Sequence, residues 1–62
     1  MDPLRSPKEF STQARVPLPT VYKWQSERTG PPFIKVGRHV RYRQSAIDDW
    51  FAAHTVEPRP AA

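Results

Sequence analysis

Cysteine is absent from this 62-residue chain, so no disulfide staples it and no thiolate is available to join His39 and His54 in a structural zinc site. That absence accords with a reducing cytoplasm. No apolar run approaches the roughly 20 residues that a membrane-spanning helix needs, and the opening MDPLRSPKEF lacks the apolar core of a signal peptide. A cytoplasmic protein without a membrane partner is the expectation. Also missing is any acid between Glu27 and Asp48, a stretch that carries Arg28, Lys35, Arg38, Arg41 and Arg43. The net charge of +4 is therefore concentrated mid-chain, in a field that suits a nucleic acid. The competing reading is a solvated basic surface that binds nothing. Catalytic constellations are lacking too. Asp48 and Asp49 are neighbours about 100° apart on a helix, a poor placement for a carboxylate pair, and no G-x-S-x-G elbow surrounds Ser6, Ser11, Ser26 or Ser45. The chain is expected not to be an enzyme and to need no metal, cofactor or small-molecule ligand.

What is present reads as one small domain over residues 6–55, between a disordered segment 1–5 and a disordered tail 56–62. A domain this size buries only about 60% of its unfolded surface. Ser6-Pro7-Lys8-Glu9 offers a hydroxyl N-cap, a proline at the first helical position and a carboxylate at the third, which starts a short helix ending near Arg15, ahead of Pro17. A second helix spans about Leu18 or Pro19 to Arg28, with Val21 and Trp24 inward and Thr20, Tyr22, Lys23 and Ser26 pointing elsewhere. Two short helices so closely spaced read as a helix-turn-helix, whose second helix enters the major groove; the alternative is an ordinary helical hairpin with a solvated face. Thr29-Gly30-Pro31-Pro32 stops that helix, with Gly30 free to take the left-handed conformation and two prolines enforcing an extended path.

The stretch PFIKVGRHVRYR, Pro32 to Arg43, then reads as a β-hairpin with a basic tip. With a three-residue loop of Gly37, Arg38 and His39, Val36 faces Val40 and Ile34 faces Tyr42. One side of the ribbon is then apolar, and the other carries Phe33 with Lys35, Arg41 and Arg43. A two-residue Gly37-Arg38 turn would instead pair Val36 with His39 and scatter the apolar side chains over both faces, so the longer loop is preferred. A last helix is expected to be capped at Ser45, with Asp48 and Asp49 at its positive end and Ile47, Trp50, Phe51 and a partly buried His54 along one stripe. The expected core is Phe10, Val21, Trp24, Ile34, Val36, Val40, Tyr42, Ile47, Trp50 and Phe51.

Taken together, VPLPTVYKW in the second helix, TGPPFIKVGRHVRYR across the hairpin and AIDDWF in the last helix resemble the phage excisionase group of MerR-like winged-helix DNA-binding domains. The resemblance covers about Ser6 to Thr55. It implies an α+β winged helix-turn-helix of three short helices with a two-stranded β-hairpin wing, in which the second helix enters the major groove and the wing lies on an adjacent minor groove or its phosphates. Thr20, Tyr22 and Lys23 are the candidates for groove and adjacent phosphate contacts. Arg38, His39 and Arg41 are the candidates in the wing, with Lys35 and Arg43 supporting the phosphate grip. The implied partner is double-stranded DNA, bent by adjacent copies for a phage integrase, and a second domain for sensing a ligand or dimerising is not expected. A small transcriptional regulator and an adaptor whose wing grips an acidic protein are the rival expectations.

Overall fold

The computed structural model describes residues 2–56 and Pro58. Its elements run β1 (Leu4–Arg5), α1 (Pro7–Ala14), α2 (Leu18–Glu27), β2 (Ile34–Val36), β3 (His39–Arg43) and α3 (Gln44–Ala53). The strands form one antiparallel sheet in the order β1-β3-β2. The fold is the expected α+β winged helix-turn-helix, with a third strand added to the hairpin.

Helix α1 begins as its sequence dictates. The Ser6 hydroxyl accepts the Glu9 N–H at 3.1 Å, and the Glu9 carboxylate accepts the Ser6 N–H at 2.9 Å, so two of the helix's orphan donors are satisfied reciprocally. Arg15 ends the helix in the left-handed region at φ 56, which reverses the chain within three residues and lets Leu18 open α2. Pro17 precedes α2 without a side-chain cap, but its carbonyl accepts the Thr20 N–H at 3.0 Å. At the far end of α2 the left-handed residue is Arg28, φ 57, and Gly30, though free to take that conformation, does not. The reason is local: Thr29 already closes the helix by donating to the Trp24 carbonyl, and Pro31 biases the residue before it toward extended backbone. Gly30 serves close approach instead. A Cβ there would lie 3.2 Å from the Trp24 Cβ.

The wing adopts the two-residue turn. Ile34 pairs with Arg41, Lys35 with Val40 and Val36 with His39, which overturns the expected three-residue loop. Gly37 at φ +64 followed by Arg38 at negative φ matches the glycine-first hairpin turn whose twist suits antiparallel strands. Tertiary packing decides the register. Tyr42 and Val40 turn inward in either register, Tyr42 being only 1% exposed with its ring centroid 5.0 Å from that of Phe10, and His39, Arg41 and Arg43 turn outward; the register decides which face of β2 joins them. Residues directly opposite share a face, so Phe33 and Lys35 lie on the inner side, and Ile34 and Val36 on the outer. Phe33, expected outside, packs on Tyr42 at 6.1 Å between centroids. Ile34 and Val36 leave the expected core, Val36 being 52% exposed.

The N-terminal segment is also a correction, because residues expected to be loose are tied down. Leu4 pairs with Arg43 and Arg5 with Tyr42, covering the edge of β3 that a two-stranded hairpin would leave unpaired. The Gln44 N–H continues this ladder to the Pro3 carbonyl at 3.0 Å. Helix α3 consequently starts at Gln44 with Arg43 as its N-cap residue, and Ser45 lies inside the first turn, where it donates to the Asp2 carboxylate. Asp48 and Asp49 fall beyond that turn, and Asp48 accepts from the Gln44 amide at 2.9 Å. The expected loose tail at 56–62 lies outside the described residues except for Val56 and Pro58, both exposed and outside any element.

Phe10, Val21, Tyr42 and Ile47 are fully buried, and Trp24, Phe33, Val40, Trp50 and Phe51 close around them half-buried. Phe10 is the hub, with the rings of Tyr42, Trp50, Phe51 and Trp24 at 5.0 to 6.1 Å. His54, expected to be partly buried, is exposed and lies over Trp50 at 4.1 Å between ring centroids.

Candidate nucleic-acid interface

Helix α2 buries Val21 and half-buries Leu18, Trp24 and Gln25, which leaves Pro19, Tyr22, Lys23 and Ser26 on one outward face at i, i+3, i+4 and i+7. Tyr22 stands 52% exposed there. Of the three helix residues singled out in the sequence, Tyr22 and Lys23 lie on this face, whereas Thr20 is half-buried at its margin. Pro19 and Ser26 belong to the same face, and the helical spacing that selects Tyr22 and Lys23 selects them as well.

The wing brings its tip toward that helix. Tyr22, Gln25, Arg38, His39, Val40 and Arg41 line a common groove that Pro7 closes at the start of α1. Arg38 and His39 are exposed, while Arg41 is half-buried, donating from Nη1 to the Val40 carbonyl at 2.7 Å. Glu9 is near enough to feel the charge of Arg41, and its carboxyl is held below the ordinary range. The Ser6 backbone N–H is the main cause, followed by the Ser6 hydroxyl and then by the charges of Arg5 and Arg41. Arg5 reaches Glu9 at 3.8 Å, the one ion pair closer than 4.0 Å among the described residues.

The five wing candidates do not share one surface. Arg41 and Arg43 point outward with His39, Arg38 sits at the turn, and Lys35 lies on the inner side, contrary to the expected single face of Lys35, Arg41 and Arg43. The register explains the separation, since it moves β2 by one residue relative to the expected pairing and a one-residue slip exchanges the faces. Lys35 instead borders a second groove with Tyr22, Gln25, Ser26, Arg28 and Phe33. Arg28 was not singled out in the sequence, although it is the first cation of the acid-free stretch. No group of three or more His, Cys, Asp or Glu side chains among the described residues could hold a metal ion, and no described helix is long and apolar enough to cross a membrane.

An exposed face on the second helix of a helix-turn-helix, flanked by a basic wing tip, is the arrangement that reads a duplex. The helix-turn-helix domain family matches residues 6–55, from the N-cap of α1 to just past α3. Comparisons with curated proteins and with solved structures returned no match. The match to the helix-turn-helix domain takes in every element except β1, and with it the chain belongs to that family of DNA-binding domains.

Proposed function

We propose that this protein is an excisionase, a recombination directionality factor that binds and bends attachment-site DNA so that a partner phage integrase runs toward excision. The observation that carries the DNA-binding part is the common groove between Tyr22 on α2 and Arg38, His39 and Arg41 in the wing. Helix α2 would enter the major groove with Tyr22 and Lys23 toward base edges, and Thr20 beside them toward a phosphate. The wing would follow the adjacent backbone, where cations displace condensed counterions. The finer assignment is supported by the likeness of VPLPTVYKW and TGPPFIKVGRHVRYR to the excisionase group of MerR-like domains. A domain of this size covers about one helical turn of DNA, so a longer site calls for adjacent copies, with bending as their joint effect. The role is one of binding and shaping, with no catalytic step and no cofactor, in the cytoplasm of a bacterial host.

The test is a circular-permutation mobility assay on an attachment-site fragment, run beside recombination by the cognate integrase. Position-dependent mobility, cooperative binding and a rise in excision with a fall in integration are expected. Binding to a lone promoter site without bending, with integrase products unchanged, would make the protein a transcriptional regulator. Loss of DNA binding with retention of an acidic protein would make it an adaptor.

A further inference from the structure

The wing register brings Lys35 onto the same grooves as Arg28 at the C-terminal end of α2. Lys35 pairs with Val40 on the inner side of the ribbon, and Arg28 is held at the end of α2 by its left-handed backbone. Both line an open groove of about 590 Å³ with Trp24, Gln25, Phe33 and Tyr42, and both also line the groove that runs on to Tyr22 and Ser26. Neither has a carboxylate within 4.0 Å among the described residues, since the single ion pair there is Arg5 with Glu9. Two unpaired cations on one groove repel each other until an anion lies between them. The Gln25 amide on the same wall lies buried beside the Tyr42 hydroxyl, so Arg28 and Lys35 are the charged groups that line the groove.

We infer that Arg28 and Lys35 form a phosphate site separate from the one at the wing tip. The occupant is a backbone phosphate of the DNA strand that passes the C-terminal end of α2. The inference rests on the DNA-binding reading and extends it: the duplex is gripped on both sides of the wing, by Arg38 and Arg41 at one groove and by Arg28 and Lys35 at the other. Phosphate contacts fix orientation without reading sequence, so this second grip would set the angle at which Tyr22 meets the bases.

Phosphate-ethylation interference on a bound duplex tests it, with the parent compared with Arg28→Asn, Lys35→Gln and Arg38→Ala. Asparagine tolerates the left-handed backbone at position 28, so fold is kept, and thermal melting of each variant confirms it. The expected result is one phosphate whose ethylation blocks the parent but not Arg28→Asn or Lys35→Gln, and which still blocks Arg38→Ala. Each of the first two variants should also flatten the slope of log K against log salt by about one, with sequence preference unchanged. An interference pattern in Arg28→Asn identical to the parent's overturns the inference. A parent that binds no duplex at all refutes the DNA-binding reading itself, a different outcome from failure of this site.

Discussion

The Asp2 carboxylate takes both the backbone N–H and the hydroxyl of Ser45, at 3.0 and 2.7 Å. A carboxylate from the chain's first residues thus serves as the cap that α3 lacks locally, because Arg43 at the N-cap has no side-chain acceptor to offer. The same contact fastens β1 against β3, so the wing, the last helix and the N-terminal strand share one anchor.

This anchor titrates. The Asp2 carboxyl is held below its ordinary range chiefly by the Ser45 N–H, then by the Ser45 hydroxyl and the charge of Arg43, and Glu9 is held low by Ser6 in the same way. Both groups have depressed pKa values in the folded state, so their stabilisation is complete above the unfolded carboxylate range and is lost as pH falls through the folded values. Melting temperature should therefore drop as the solution is acidified below about pH 4. Asp2→Asn and Glu9→Gln should each lower the neutral plateau and flatten that acid limb. An unchanged limb in Asp2→Asn would remove the cap from the account.

The wing register predicts unequal costs for two small truncations on neighbouring strands. Val40→Ala faces the core and should cost about 1 to 2 kcal/mol, whereas Val36→Ala faces outward and should stay within about 0.5 kcal/mol. Urea titration of both variants checks this. Equal losses would indicate the pairing of Val36 with Val40.

Phe10 touches four other aromatic rings and is fully buried. Phe10→Ala should cost about 3 to 5 kcal/mol and leave little folded protein in so small a domain. Far-ultraviolet circular dichroism at 25 °C would register the loss; a native spectrum with a cooperative melt near the parent's would refute the hub.

At the turn, Gly37 adopts φ +64 and a Cβ there would meet nothing within 4 Å. Gly37→Ala should therefore cost about 1 to 2 kcal/mol through backbone strain alone, with no steric contribution. Because strain falls on the turn that presents Arg38, DNA affinity should fall with stability. A melt that matches the parent's would mean that the turn accepts a different conformation.

Phosphate and base contacts separate by salt. With about three to five phosphates neutralised, log K should fall against log salt with a slope of about −3 to −4, and Arg41→Ala should flatten it by about one. Tyr22→Ala should keep the slope and lose discrimination between cognate and unrelated duplex by about tenfold. Fluorescence anisotropy at several salt concentrations measures both. A slope unchanged in Arg41→Ala would take that residue out of the interface.

Local chemistry made much of this protein legible from its residues. The Ser6 to Glu9 capping box, the interruption at Pro17 and the apolar spacing of Ile47, Trp50 and Phe51 each act within a few residues, and each element lies where those signals put it. The acid-free stretch from Arg28 to Arg43 likewise concentrates positive charge whatever the fold. On the candidate site, spacing alone put Tyr22 and Lys23 on the free face of α2, but Arg28 carried no separate signal because the cation that shares its groove, Lys35, comes from β2.

Other features were decided only by tertiary structure. Gly37-Arg38 and Gly37-Arg38-His39 are both acceptable hairpin loops, and local alternation favoured the longer one because it collects the apolar side chains of both strands on one side. Packing Phe33 against Tyr42 selects the shorter, since the core takes Phe33 beside Val40 and Tyr42 and leaves Ile34 and Val36 outside it. That choice sends Lys35 to the side of α2 and divides the basic wing in two. The two-residue strand Leu4–Arg5 has no periodicity to detect, and it exists because β3 offers an open edge and Ser45 an uncapped donor, partners about 40 residues away that only the folded chain brings near.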